Sequence, residues 1–152
     1  MAGLGHSVVA VDRDVGALAA SAGERISTLQ FDLEASGASK LPDWPLKPAQ
    51  WTGVIVTHYL HRPLMDDLLH SLAPGGVLIY ETFAAGNGQF GKPSNPDFLL
   101  EPGELLAIVA RDPGLRVIAF EDGYVSEPKP AMVQRICACR TDSSIKPEWL
   151  AL

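Results

Sequence analysis

The chain has 152 residues, 47% of them hydrophobic and 20% charged, the size and composition of a single folded domain, 1–152, with a well-supplied core. Its 18 acidic and 12 basic residues leave a net charge of −6, and without a Lys/Arg cluster to follow a phosphate backbone, no nucleic acid partner is expected. No apolar run approaches the roughly 20 residues of a membrane helix and no signal-peptide layout opens the chain, so no membrane contact and a cytoplasmic location are expected.

Residues 7–12, Ser-Val-Val-Ala-Val-Asp, form a short apolar, β-rich run ending in a carboxylate, and Arg13 to Ala22 supplies small and apolar residues suited to a helix. Residues 26–31 alternate apolar and polar side chains before Asp32-Leu33, the pattern of a second strand that also ends in an acid. A loop rich in Gly, Ser and Pro is expected from Glu34 to Gln50.

Trp51 to Val56 reads as a third strand. Leu64, Met65, Leu68, Leu69 and Leu72 then trace a helical stripe, which Pro74-Gly75-Gly76 is expected to stop. Val77-Leu78-Ile79-Tyr80 is expected to be a strand buried on both faces, because continuous apolar runs suit covered parallel sheets.

Residues 84–103 carry four glycines and three prolines, and so long a loop inside a compact domain is usually a lid or a binding loop. Glu104 to Ala110 is expected to be a helix ended by Asp112-Pro113-Gly114. Leu115 to Phe120 and Met132 to Cys139 read as strands joined by a turn-rich link through Gly123 and Pro128-Lys129-Pro130, and with no helix between them they predict an antiparallel hairpin at a sheet edge. Strand–helix alternation closed by such a hairpin is an α/β sandwich pattern.

The polar residues that can carry chemistry fall at strand ends, where open α/β sheets bind ligands. Asp12 can accept hydrogen bonds from both hydroxyls of a ribose, or can cap the helix that follows. Asp32 can meet an adenine amino group while Leu33 packs on the ring, or can be a solvated acid. In Thr57-His58-Tyr59-Leu60-His61-Arg62, His58 or Tyr59 can act as a general base or as a pocket wall. A metal on His58 and His61 lacks a third ligand, and none is expected. Glu81 can fix an acceptor or cap a backbone. Cys137 and Cys139, two apart on a strand, share a face and are expected to be buried, reduced thiols.

Taken together, the acid at 12, Asp32-Leu33, Pro74-Gly75-Gly76 and the final hairpin resemble the class I S-adenosylmethionine-dependent methyltransferases. Tyr59-Leu60-His61-Arg62-Pro63, Tyr80-Glu81-Thr82-Phe83, Gly91-Lys92-Pro93-Ser94-Asn95-Pro96 and Phe98-Leu99-Leu100 are similar to a bacterial subgroup near the tellurite-resistance methyltransferase-like proteins. The resemblance implies a Rossmann-like methyltransferase sandwich, S-adenosylmethionine as cofactor and an unidentified small-molecule acceptor. It places Asp12 at the ribose, Asp32 at the adenine and Thr57 to Tyr59 beside the transferred methyl, with Arg13 and Leu33 as further cofactor-binding residues and the loop over 84–103 as the lid that chooses the acceptor.

The front of the chain departs from that pattern. The family's first strand ends in a glycine-rich loop about 20 residues before the ribose acid, whereas only eleven residues precede Asp12. Gly3-Leu4-Gly5 lies too near Asp12 to be that loop and reads as the glycine cap of a preceding helix. The fold is therefore expected to be incomplete at its N-terminus, lacking the first strand. The gap would lie between the strands ending at Asp12 and Val56, where a homo-oligomeric copy could cover it. Three functions remain open at this point: methyl transfer, a non-catalytic remnant of the fold serving as a binding or assembly module, and a dinucleotide-dependent oxidoreductase.

Overall fold

A computed structural model describes residues 2–35 and 44–141; the expected loop over 34–50 falls partly outside the described residues. The chain forms two compact units, 1–45 and 46–152.

In the first unit a single 3-10 turn, Ala2–Leu4, is closed by Gly5 at φ 91, whose N–H donates to the Ala2 carbonyl at 2.9 Å. The left-handed glycine is the cap that the sequence suggests. Strand β1 (Val8–Asp12) leads into helix α1 (Val15–Ser21) and returns in strand β2 (Ile26–Gln30), parallel to β1 with Asp12 opposite Gln30. Two parallel strands need a crossover, and the helix provides it. Asp12 does not cap that helix. Asp14 does: its backbone is extended (φ −86, ψ 111) and its carboxylate accepts from the Gly16 and Ala17 amides, satisfying two of the amides a helix leaves unbonded. Leu18 is the buried residue of α1, and Phe31 meets the buried Trp44 edge-on at 5.7 Å.

The second unit holds a four-stranded sheet in the order β3-β4-β6-β5. Strand β3 (Trp51–Thr57) runs parallel to β4 (Leu72–Phe83), joined through a 3-10 turn at Arg62–Leu64 and helix α2 (Met65–Ser71). Helix α3 (Glu104–Ala110) precedes β5 (Leu115–Val125), and β6 (Ala131–Arg140) pairs antiparallel with both β5 and β4. The closing hairpin is as expected, but the turn is displaced: Gly123 lies within β5, opposite Val133.

Two further expectations are corrected. Pro74-Gly75-Gly76 does not end α2, which stops at Ser71. Leu72 already pairs with Trp51, residues 73–76 buckle out, and the ladder resumes where Gly53 faces Val77. Strand β4 is also not buried on both faces. Leu78, Tyr80 and Thr82 are buried and stand opposite Ala138, Ile136 and Gln134, while Ile79 is 46% exposed and its neighbour Ile55 51%. Helices α2 and α3 cover the first face: Gln134 Oε1 accepts from the Leu105 amide of α3, and Arg140 donates to the Leu69 carbonyl of α2. Alternation of burial is what a sheet packed on one side requires.

Leu105 and Val109 from α3 and Leu72 and Leu100 nearby are almost wholly withdrawn from water. Each stabilises the unit by about 1.5–3 kcal/mol relative to exposure. Cys137 and Cys139 point to the same face of β6 and are both reduced. Cys139 is buried and Cys137 half-buried, and burial pushes the Cys137 thiol up, which keeps it protonated and unreactive.

Candidate functional site

Parallel pairing places the C-terminal ends of β1 and β2 side by side, and with them two acids. The Phe31 amide donates to the Asp12 carbonyl at 3.0 Å. Asp12 Oδ1 accepts from the Asp14 amide at 2.8 Å, and Asp32 Oδ1 accepts from the Glu34 amide at 2.9 Å. Each carboxylate is thus oriented by one oxygen, and both side chains are exposed. Arg13 is tied through its backbone, its carbonyl accepting from Gln30 Nε2 at 3.3 Å, and Leu33 is half-buried. Among the described residues nothing binds the second oxygen of either carboxylate, which leaves it to match the hydroxyl and amine donors of an adenosine, so the residues present at this rim fit such a group.

The second unit builds another rim. Thr57 stands opposite Glu81 in the β3–β4 ladder. Directly after it His58 takes a left-handed backbone (φ 53) and donates its N–H to the Glu81 carbonyl at 3.0 Å. The His58 ring stacks on Phe83 at 5.1 Å, with Nε2 3.9 Å from Glu81 Oε1. Glu81 neither caps a backbone nor stands alone: Arg135 of β6 binds its other carboxylate oxygen and reaches Glu121 at 3.2 Å. These hydrogen bonds to two carboxylates push the Arg135 guanidinium up. Tyr59 serves through its carbonyl, which accepts from the buried Tyr80 hydroxyl at 2.7 Å. Burial pushes the Tyr80 phenol well up, so it stays a neutral donor.

The loop over 84–103 is tightly anchored. Ala84 bridges to Leu100. The Asn87 side chain, 2% exposed, donates to the Pro93 carbonyl at 3.0 Å and accepts from the Met132 amide at 3.2 Å. Arg62 grips the far end, donating to the carbonyls of Asp97 and Leu99, both at 2.8 Å, and to both oxygens of Glu104. Within the loop, Lys92, Pro93, Ser94, Asn95 and Phe98 line an open depression of about 440 Å³. Among the described residues no cluster of three or more His, Cys, Asp or Glu could hold a metal, and no helix is long and apolar enough to cross a membrane.

The structure thus brings Asp12, Arg13, Asp32 and Leu33 together at one rim and Thr57, His58, Tyr59 and Glu81 together at the other. Sequence reasoning missed the partners: Arg62 as the loop's clasp, Arg135 behind Glu81, Phe83 under His58, and Asn87 and Gln134 as buried anchors. Phe83 alone had a local signal, its spacing of two from Glu81 on a strand. The others are fixed by residues distant in sequence.

No protein-family model and no curated protein matches the chain. Solved structures do. TehB from Haemophilus influenzae superposes with a TM-score of 0.64 at 13% identity, over 91% of this chain and 51% of that one. A 1,6-didemethyltoxoflavin-N1-methyltransferase from Burkholderia thailandensis, solved with 1,6-didemethyltoxoflavin and S-adenosylhomocysteine, gives 0.59 at 19% identity, over 93% and 64%. An S-adenosylmethionine-dependent methyltransferase from Methanosarcina mazei gives 0.63 at 13%, over 92% and 84%. The chain therefore spans about half the length of the first and less than two thirds of the second. With two parallel βαβ units, a closing antiparallel hairpin and these neighbours, the chain has the Rossmann-like fold of the class I methyltransferases.

Proposed function

We propose that the chain takes part in S-adenosylmethionine-dependent methyl transfer to a small-molecule acceptor. The observation that supports this most is the pair of strand-end carboxylates, Asp12 and Asp32, each oriented by one backbone amide with its other oxygen open. Asp12 would accept from the ribose hydroxyls with Arg13 beside it. Asp32 would accept from the adenine amino group, and the half-buried Leu33 would cover the ring. Thr57 would lie beside the transferred methyl, flanked by His58, Tyr59 and Glu81 as the candidate catalytic group. On this reading the chain is one methyltransferase-like domain that assembles as a homo-oligomer. The reading also places the protein in the cytoplasm.

When bound, S-adenosylmethionine supplies an activated methyl whose departure leaves a neutral thioether. The protein then contributes alignment and exclusion of water rather than a fixed catalytic motif. The firmly anchored loop over 84–103 suits that task, because a lid that chooses an acceptor must hold its shape.

Calorimetry with S-adenosylhomocysteine tests the reading. A dissociation constant in the micromolar range, about −8 kcal/mol, is expected, weakened at least tenfold by Asp12→Asn. Binding weaker than about 1 mM would overturn it in favour of a non-catalytic module that keeps the fold.

A further inference from the structure

His58 has a left-handed backbone (φ 53), a conformation uncommon among residues other than Gly, although His, like Asn and Asp, adopts it more often than most. Such residues collect at functional sites and persist only where surrounding contacts hold them. Here the holding contacts are the bond from its N–H to the Glu81 carbonyl, the Phe83 ring against one face and the Glu81 carboxylate near Nε2. At 3.9 Å the carboxylate is too far for a hydrogen bond, and it stands beside Nε2 of the ring. Arg135 fixes that carboxylate from the other side. The imidazole is thus oriented from behind while its side chain remains 62% exposed at the strand-end rim. A histidine serving only to continue the ladder would need its N–H alone.

We infer that His58 is the proton-accepting group of this rim, positioned by Glu81 and Phe83, and that the acceptor it suits carries a protic nucleophile, a phenol-type O–H or a ring N–H. This rests on the methyl-transfer reading above and adds the acceptor's chemical class. As the nucleophile's lone pair forms its bond to the methyl carbon, the electrons of the carbon–sulfur bond stay on sulfur. The nucleophile's O–H or N–H bond breaks, its proton goes to the neutral imidazole, and the imidazolium later releases it to water. Glu81 of β4 faces the ring, and Arg135 of β6 and Glu121 of β5 stand behind it. The Glu81 carboxylate, 3.9 Å from Nε2, sets an opposite charge beside the imidazolium that the step creates. An acceptor that is already anionic would make no use of this arrangement.

The probe is 4-nitrophenol, whose anion absorbs visible light, added to the full chain saturated with S-adenosylhomocysteine. Bound probe is expected to ionise at lower pH than free probe, because its proton passes to His58. His58→Asn, which tolerates the left-handed backbone, is expected to abolish that shift. With S-adenosylmethionine instead, the rate at which it is converted to S-adenosylhomocysteine with 4-nitrophenol as methyl acceptor should fall about 100-fold or more in the same variant, and less in Glu81→Gln. Three results overturn the inference: no saturable binding of the probe to a chain that binds S-adenosylhomocysteine, an ionisation unchanged by His58→Asn, or methylation of selenite but not of 4-nitrophenol. Failure to bind S-adenosylhomocysteine at all would remove the methyl-transfer reading first, and this inference with it.

Discussion

Arg62 and Glu104 form a two-pronged ion pair across 42 residues of sequence, with Nε 2.7 Å from Oε1 and Nη2 2.8 Å from Oε2. The guanidinium also serves the carbonyls of Asp97 and Leu99, and Glu104 Oε2 accepts in addition from the Glu101 amide at 2.8 Å. One planar group therefore ties the segment after β3 to the end of the 84–103 loop and to the first turn of α3. A lysine has a single charged head and cannot reproduce that fork. Arg62→Lys is expected to cost about 1–2 kcal/mol, the lower part of the range for hydrogen bonds to charged groups because the side chain is partly exposed. Urea unfolding measures the loss. Limited proteolysis should show faster cleavage within 84–103 in the variant, and unchanged cleavage would show that Arg62 does not hold the loop.

Acid should loosen the same clasp. Burial raises the Glu104 carboxyl, but the hydrogen bonds from Arg62 and the Glu101 amide outweigh it and hold the group below its ordinary value of 4.5. For Asp112, burial likewise raises the carboxyl, and the Gly114 amide and Arg140 outweigh it, holding it below 3.8. A carboxylate whose pKa is depressed by folding contributes stability that is complete above its unfolded value and disappears as pH falls through the folded one. Thermal midpoints are therefore expected to be level near neutrality and to drop as pH falls below these two ordinary values. The gap between wild type and Glu104→Gln should narrow over that interval. A gap that stays constant with pH would mean the Glu104 charge contributes nothing.

Gly76 sits where β4 returns to its ladder after the buckle, and a Cβ there would meet the Trp51 carbonyl oxygen at 2.7 Å and the Ala73 carbonyl oxygen at 2.8 Å. Both are backbone atoms, so neither can swing aside. Gly76→Ala is expected to destabilise by about 1–3 kcal/mol, the usual penalty of overpacking. Gly75 offers the control, since it is left-handed (φ 77) with open space around it. Gly75→Asn should cost much less, because Asn accepts that conformation. Equal losses in chemical denaturation would contradict this account of the buckle.

The strands, and the acids at the end of β1 and just beyond β2, are legible because a short apolar run followed by a carboxylate is a local signal. What failed did so for identifiable reasons. Asp12 and Asp14 are equally competent caps by residue type, and position decides between them: Asp14 directly precedes Val15, the first residue of α1, whereas Asp12 still belongs to β1. Val77 to Tyr80 looks buried throughout because hydrophobicity cannot report whether a second layer exists, and on this sheet Ile79 faces outward. Gly123 reads as a turn by composition, yet it lies within β5 opposite Val133, because the backbone ladder needs no side chain. The clasp of Arg62 on Glu104 and the Gln134 bridge from the Glu101 carbonyl to the Leu105 amide join residues that approach only once the sheet has formed. No periodicity encodes them.

The two neighbouring acids of the first unit should separate cleanly by experiment, because the structure gives them different duties. Asp14 Oδ1 accepts from Gly16 at 2.7 Å and Ala17 at 3.2 Å, so Asp14→Ala leaves two helix amides without their cap and should cost about 1 kcal/mol of stability. Among the described residues Asp12 accepts only the Asp14 amide through Oδ1, and Asp12→Asn retains an oxygen for that bond while removing the charge proposed to hold the ribose. Its thermal midpoint should stay within a degree or two of wild type, as expected for a surface change of less than about 0.5 kcal/mol. Its affinity for S-adenosylhomocysteine should fall at least tenfold, whereas Asp14→Ala should leave that affinity nearly intact under conditions where it remains folded. Thermal melts and calorimetry on the two variants read both quantities. If Asp12→Asn lost stability and kept affinity, Asp12 would be a structural acid, and the ribose would have to be sought elsewhere on the rim.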